Sequence, residues 1–190
     1  MPLTAIDPQT ALIIVDLQRG IVALPLVHPV DEVISNSRRL AEEFRKRGLP
    51  VVLVNVDAGA KGRTEQPPKA FPTPPGWTEL VPELGTHPDD ILVTKKSWGA
   101  FATTELEQRL KALGVTQVVI TGIATATGVE ATARQAFEAG FNVTLAIDAM
   151  TDRTVEAHEY SVQQVFPRLG ETGTTADILG LLGASTFCDA

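Results

Sequence analysis

The chain has one cysteine in 190 residues, Cys188, third from its C-terminal end. No disulfide can form within one chain, and a single thiol fits a reducing compartment. Long apolar runs are also missing. Stretches such as Ala11 to Val15 fall far short of the roughly 20 residues that span a bilayer. Met1 to Pro8 shows no basic segment followed by an apolar run, so no signal peptide is expected, and the cytoplasm is the expected location. Basic charge is scarce: 16 Lys and Arg face 23 Asp and Glu, for a formal charge of -7. Phosphate binding needs a basic face, which argues against a nucleic-acid partner. A membrane partner is not expected either. The three histidines, His28, His87 and His158, show no metal-ligand spacing with another ligand. The phosphate-loop pattern G-x-x-x-x-G-K-[ST] and the dinucleotide pattern G-x-G-x-x-G are absent. No metal and no cofactor are expected.

Apolar residues make up 44% of the chain, enough for one core, and no linker divides it, so residues 1–190 read as a single domain. Thr10 to Asp16 is a β-rich apolar run ending in a carboxylate, as expected of a strand buried on both faces. Asp31 to Gly48 has a helical apolar face, with Asp31 as N-cap and Gly48 closing it. Pro50 to Val56, Ile91 to Thr94, Thr116 to Thr121 and Asn142 to Ile147 read as further strands. Helices are expected over Thr103 to Leu113 (capped by Thr103 or Thr104), Gly128 to Ala139, Thr154 to Val165 and Thr174 to Leu182. A short strand is expected near Leu169. This alternation predicts a three-layer α/β/α sandwich with a mostly parallel sheet of about six strands. Residues 58–90 stand apart. They hold seven of the thirteen prolines and read as a long loop, a lid or a subunit contact.

Ligands of such sheets bind beyond the carboxyl ends of the strands. There the sequence places Asp16, Asp57, Lys95 with Lys96, the small-residue run Gly122 to Gly128, and Asp148. Two carboxylates and a lysine at one rim can form an acid/base site. A charge after an apolar strand is equally often a solvated end, above all at Asp57 and Asp148. The run leading to Gly128 can cradle an anion on backbone N–H groups, or simply let a helix pack closely. Trp98 and Phe101 follow Lys95 and read as walls of an apolar pocket, with core or interface anchoring as the alternative. His158 reads as a surface or interface histidine. Ser97 and Thr127 are possible hydroxyl nucleophiles with no apparent base.

Four stretches then carry a resemblance: Ala11-Leu12-Ile13-Ile14-Val15-Asp16-Leu17-Gln18, Thr94-Lys95-Lys96-Ser97-Trp98-Gly99-Ala100-Phe101, Ile120 to Ala133 (ITGIATATGVEATA), and Ala139-Gly140-Phe141 through Asp148-Ala149. In order and spacing the chain resembles the isochorismatase-like hydrolases, the cysteine hydrolase superfamily that includes nicotinamidases and carbamoylsarcosine amidases. The resemblance implies that Asp16 and Lys95 are catalytic, and that position 128, Gly128 here, is where relatives carry the nucleophilic cysteine. Cys188 lies far outside that motif. The resemblance also implies a cis peptide at Ile123–Ala124, and substrate contacts from Gln18, Trp98, Phe101, Ala124 and Thr125. Asp57 lacks the nearby histidines of the nicotinamidase metal site.

Glycine offers no nucleophile, which disfavours amide hydrolysis by thiolate attack. True isochorismatases resemble this chain in keeping the aspartate and lysine without cysteine. There an aspartic acid protonates a vinyl ether and water adds to the cation, which needs a carboxyl kept partly protonated by burial. Trp98 and Ala124 stand where those enzymes tend to have tyrosine and another aromatic. Lys61, Arg63 and Lys69 are the nearby candidates for binding substrate carboxylates. The implied function is cysteine-independent hydrolysis of a small metabolite. The alternatives are a non-catalytic small-molecule binding or scaffolding homologue that has lost its nucleophile, and an amidase using Ser97 or Thr127. The resemblance further implies a homo-oligomer, dimer or tetramer, with the 58–90 loop and the His158 helix as contact candidates.

Overall fold

In the computed structural model, which describes residues 3–60, 62–65 and 74–184, six strands form one sheet: β1 (Thr10–Val15), β2 (Val51–Val56), β3 (Ile91–Lys95), β4 (Gln117–Ile123), β5 (Asn142–Thr151) and β6 (Glu171–Gly173). Their order is β3-β2-β1-β4-β5-β6, and all five ladders are parallel. The chain runs outward from β1 to β3, returns, and builds the other half from β4. The strand order thus reverses between β1 and β4, and open α/β sheets bind ligands beyond the carboxyl ends of the strands at such a point.

Every residue of β1 is buried, which is why its run is apolar without alternation. Ala11, Ile13 and Val15 face one helix layer, while Leu12 and Ile14 face the other. The first layer holds α3 (Leu106–Ala112) and α4 (Glu130–Glu138). The second holds α2 (Val30–Lys46) and α6 (Thr175–Ala184). Two short helices, α1 (Arg19–Val22) and α5 (Val155–Tyr160), sit at the carboxyl rim. Helix α2 buries Val33, Ile34, Ser37, Leu40, Ala41 and Phe44, one face at helical spacing. Its acidic Asp31 and Glu32 lie in the first turn and its basic Arg45 and Lys46 in the last, complementing the helix dipole. Asp31 is not the N-cap. Pro29 holds that place, and no side chain caps the helix.

Two expected boundaries shift for identifiable reasons. Helix α3 starts at Leu106 because Thr104 turns back, donating its hydroxyl to the Ala100 carbonyl and accepting from the Leu106 N–H. Strand β5 runs on to Thr151. Its register against β4 jumps between Ile120 and Gly122, which pair with Leu145 and Met150. Such a bulge inserts residues and re-aims the side chains beyond it. Asp148 therefore lies within the strand rather than past its end.

Part of the 58–90 segment is firmly placed. Gln18 bridges Leu80 in antiparallel fashion, the Val81 N–H donates to the Leu17 carbonyl, and Gly20 N–H donates to the Trp77 carbonyl. Residues 76–81 thus form a strap over the end of β1. A Cβ on Gly20 would fall 1.9 Å from the Trp77 ring, so glycine is required for this close approach. Lys61, Lys69 and Cys188 lie outside the described residues. No helix among those described is long and apolar enough to cross a membrane.

Candidate active site

Asp16 is the residue at which β1 leaves the sheet, and it has a left-handed φ of 53°. An aspartate tolerates that region better than most residues, at a cost that the surrounding structure must sustain. The turn aims its carboxylate across β2 toward Lys95, the last residue of β3. Lys95 Nζ lies 2.7 Å from Asp16 Oδ2 and 3.2 Å from the Ser97 carbonyl. Asp16 is 5% exposed and Lys95 1%. Oδ1 of Asp16 is buried and has no hydrogen-bond partner among the described residues. Burial raises the Asp16 carboxyl, and the charge and hydrogen bond of Lys95 only partly oppose it, so its pKa is pushed up to about 6. Near neutral pH this carboxyl can hold and give a proton.

Beyond β4 the Ile123–Ala124 peptide is cis. Residues Thr125–Val129 then wind as a π-helical turn, with Val129 N–H donating to the Ala124 carbonyl, before α4 begins. Gly128 lies on this turn against Asp16. A Cβ built there would stand 3.1 Å from Asp16 Oδ2 and from Val15 Cγ1, and 3.2 Å from the Ile123 carbonyl. A side chain at 128 would therefore crowd Asp16 unless its neighbours gave way by a few tenths of an ångström. Gly122 is fixed more strictly. Its φ is 117°, and a Cβ would lie 2.0 Å from the Val15 carbonyl oxygen. Thr132 ties the turn to the strand-three loop: its hydroxyl donates to the Gly128 carbonyl and accepts from Ala100 N–H. Gln135 Oε1 accepts from Phe101 N–H and Ala102 N–H.

The remaining sequence candidates divide. Gln18 is fully buried, and its amide bridges Val56 N–H, Val56 carbonyl and Trp77 carbonyl. It anchors the strap, so its polar groups are taken. Phe101 packs in the core with its ring 6.0 Å from Phe141, rather than as a free pocket wall. Trp98 is 66% exposed. Ala124 is half-buried beside the cis peptide, and Thr125 is buried with its hydroxyl on His158. Asp57 and Lys96 are exposed strand ends. Asp148 leaves the site altogether: Oδ1 accepts from the Thr175 N–H and hydroxyl and so caps α6. Ser97 donates to the Gly99 carbonyl and Thr127 is exposed; neither has a base beside it among the described residues.

Asp152, four residues past Asp148, is the rim carboxylate of β5. It is 6% exposed, and it accepts from Ala126 N–H at 2.7 Å and Arg153 N–H at 2.6 Å. It clamps the start of the turn. The Thr-Asp pair closing an apolar run was the available signal, obscured by the bulge. His158 is half-buried and reaches Thr125, so it is no plain surface residue. Among the described residues no three His, Cys, Asp or Glu stand together as a metal cage. A groove of about 630 Å³ opens at the amino ends of β2 and β3, beside Pro50 and Ile91, at the opposite end of the strands from Asp16.

Comparison with known proteins places the fold in a family. Residues 10–177 match the model of the isochorismatase domain. An uncharacterised isochorismatase family protein, YwoC of Bacillus subtilis, is 40% identical over 90% of this chain and 93% of its own length. YecD of Escherichia coli O157:H7, described in the same words, is 38% identical over 91% of this chain and 96% of its own. The solved structure of an isochorismatase family protein from Burkholderia thailandensis superposes with a TM-score of 0.91 at 39% identity, covering 94% of this chain and 98% of that one.

Proposed function

The chain belongs to the isochorismatase family of hydrolases, and we propose that within it this protein cleaves a small vinyl ether of the isochorismate kind by acid catalysis from Asp16, without a cysteine nucleophile. The observation that carries the reading is the state of Asp16. One oxygen is on Lys95, the other has no partner among the described residues, and burial holds the carboxyl near pKa 6 beside Gly128.

The protonated Asp16 delivers its proton to the terminal vinylic carbon. The C–H bond forms as the double-bond electrons leave the adjacent carbon, giving an oxocarbenium ion. Water adds to that carbon and loses a proton, returning one to Asp16. The resulting hemiketal collapses to a keto acid and an alcohol. Lys95 stabilises the aspartate once its proton has left. The backbone of 124–128 forms one wall of the pocket. Arg63, exposed in the loop, remains a candidate for a substrate carboxylate. A homo-oligomer and a cytoplasmic setting belong to the same proposal.

Isochorismate is the first substrate to assay, with wild type and Asp16→Asn. The amide is isosteric and gives up no comparable proton, so turnover should fall by about 10²–10⁴-fold. Equal turnover by both proteins would remove Asp16 from the mechanism. The crowding at Gly128 weighs against a homologue that has merely lost its cysteine. The absence of a base beside Ser97 and Thr127, among the described residues, weighs against a hydroxyl amidase.

A further inference from the structure

The pocket as described makes no use of His158, yet the fold delivers it there. Thr125, on the turn that succeeds the cis peptide, is fully buried. Among the described residues its hydroxyl has one partner, Nδ1 of His158, at 2.9 Å. A buried hydroxyl proton needs an acceptor. Thr125 therefore donates and Nδ1 accepts, which assigns His158 as the neutral imidazole protonated on Nε2. The same accounting holds next door. The oxygen of buried Thr151 accepts from the backbone N–H of His28 at 3.2 Å, and its proton has Nδ1 of His28 at 3.0 Å. The two imidazoles meet with centroids 4.6 Å apart.

We infer that His158 is a positioning residue of the pocket: its neutral ring holds the Thr125 hydroxyl, and so sets the turn that lays Gly128 against Asp16. The inference rests on reading that pocket as the reacting site. Thr125 and Gly128 belong to one five-residue turn, fixed elsewhere by Asp152 at Ala126 N–H and by Thr132 at the Gly128 carbonyl. Without His158 the buried hydroxyl is orphaned, and the turn must shift to let water reach it. Gly128 then retreats from Asp16, water enters, and the burial that raises Asp16 is relieved. The surroundings favour the neutral ring on balance. Burial and His28 lower the His158 pKa, while Asp152 at the end of β5 and Glu159 on its own helix oppose them.

The test compares His158→Ala, His158→Asn and His158→Gln in the full chain. An asparagine oxygen can occupy the place of Nδ1, whereas a glutamine places its polar end where Nε2 was. The readout is the titration of the Asp16 carboxyl by carbon-13 NMR, which needs no substrate, together with isochorismate turnover. His158→Ala and His158→Gln should move the Asp16 midpoint down toward the ordinary carboxylate range and cut turnover about tenfold. His158→Asn should restore both. An Asp16 midpoint unmoved in a folded His158→Ala protein would overturn the inference, as would Asn and Gln behaving alike. If the alanine variant does not fold, the Asn-against-Gln comparison decides. A wild type that leaves isochorismate untouched would count against the proposed substrate, while the titration still decides the role of His158.

Discussion

Replacing Lys95 with methionine removes the one partner of the Asp16 carboxylate among the described residues and keeps most of the apolar stem. The cost should depend on pH in a direction set by Asp16. Its folded pKa of about 6 lies above the ordinary 3.8, so this group stabilises the fold fully below pH 3.8 and loses that stability as pH rises through 6. At 1.36 kcal/mol per pH unit, the wild type gives up about 3 kcal/mol over that window. Losing Lys95 removes the influences that lower the pKa, so Asp16 rises further and its penalty extends to higher pH. At pH 8 the variant must either bury an unpaired carboxylate or take up a proton against the solution, and should lose about 3–5 kcal/mol relative to wild type. At pH 5 Asp16 is mostly protonated in both proteins, and the loss should shrink to about 1–2 kcal/mol, a hydrogen bond and some packing. Urea denaturation at both pH values and one protein concentration measures this. The Asp16→Asn/Lys95→Met double variant should show no such pH step. Equal destabilisation of Lys95→Met at pH 5 and pH 8 would refute the account of Asp16 as a carboxyl raised by burial.

Other outcomes rest on close contacts. Gly122→Ala must place a methyl 2.0 Å from the Val15 carbonyl at a φ of 117°, and should cost about 3 kcal/mol or more in the same denaturation assay. Gly128→Cys must push against Asp16, Val15 and the Ile123 carbonyl at 3.1–3.2 Å. It should lose about 1–3 kcal/mol and gain no amidase activity on nicotinamide; a burst of ammonia would show that the pocket had room for the thiol. Gln18→Leu removes one side-chain contact to the strap, at the Trp77 carbonyl, and two to Val56 at the end of β2; it should cost about 2–3 kcal/mol, with faster proteolysis within 74–81 seen by mass spectrometry.

The central strands were legible because burial on both faces leaves no alternation to misread: β1, β2 and β4 stand out as plain apolar runs. Asp16 and Lys95 were legible because charges ending such runs must project at the carboxyl rim. What the sequence hid was of three kinds. A bulge in β5 hands the rim position from Asp148 to Asp152, and strand periodicity carries no mark of an insertion. Proximity between distant residues, as at His28 and His158 or Gln18 and Trp77, has no local signature. Finally, an aromatic after a strand looks the same whether it ends in the core, like Phe101, or in solvent, like Trp98. Helix was expected only from Gly128, and the π-helical turn that begins at Thr125 was not, since a widened turn depends on tertiary hydrogen bonds rather than on propensity.

Asp16 and Lys95 stand on β1 and β3 with β2 between them, and about 80 residues of chain separate them. During folding that distance becomes a matter of order. Closing so long a loop is slow, so the outermost strand is expected to dock after β1 and β2 have paired. Until it does, Asp16 lacks both its partner and its burial and remains an ordinary surface carboxylate. The raised pKa of Asp16 is thus a property of the finished sheet, and a chain caught before β3 arrives carries the aspartate without it.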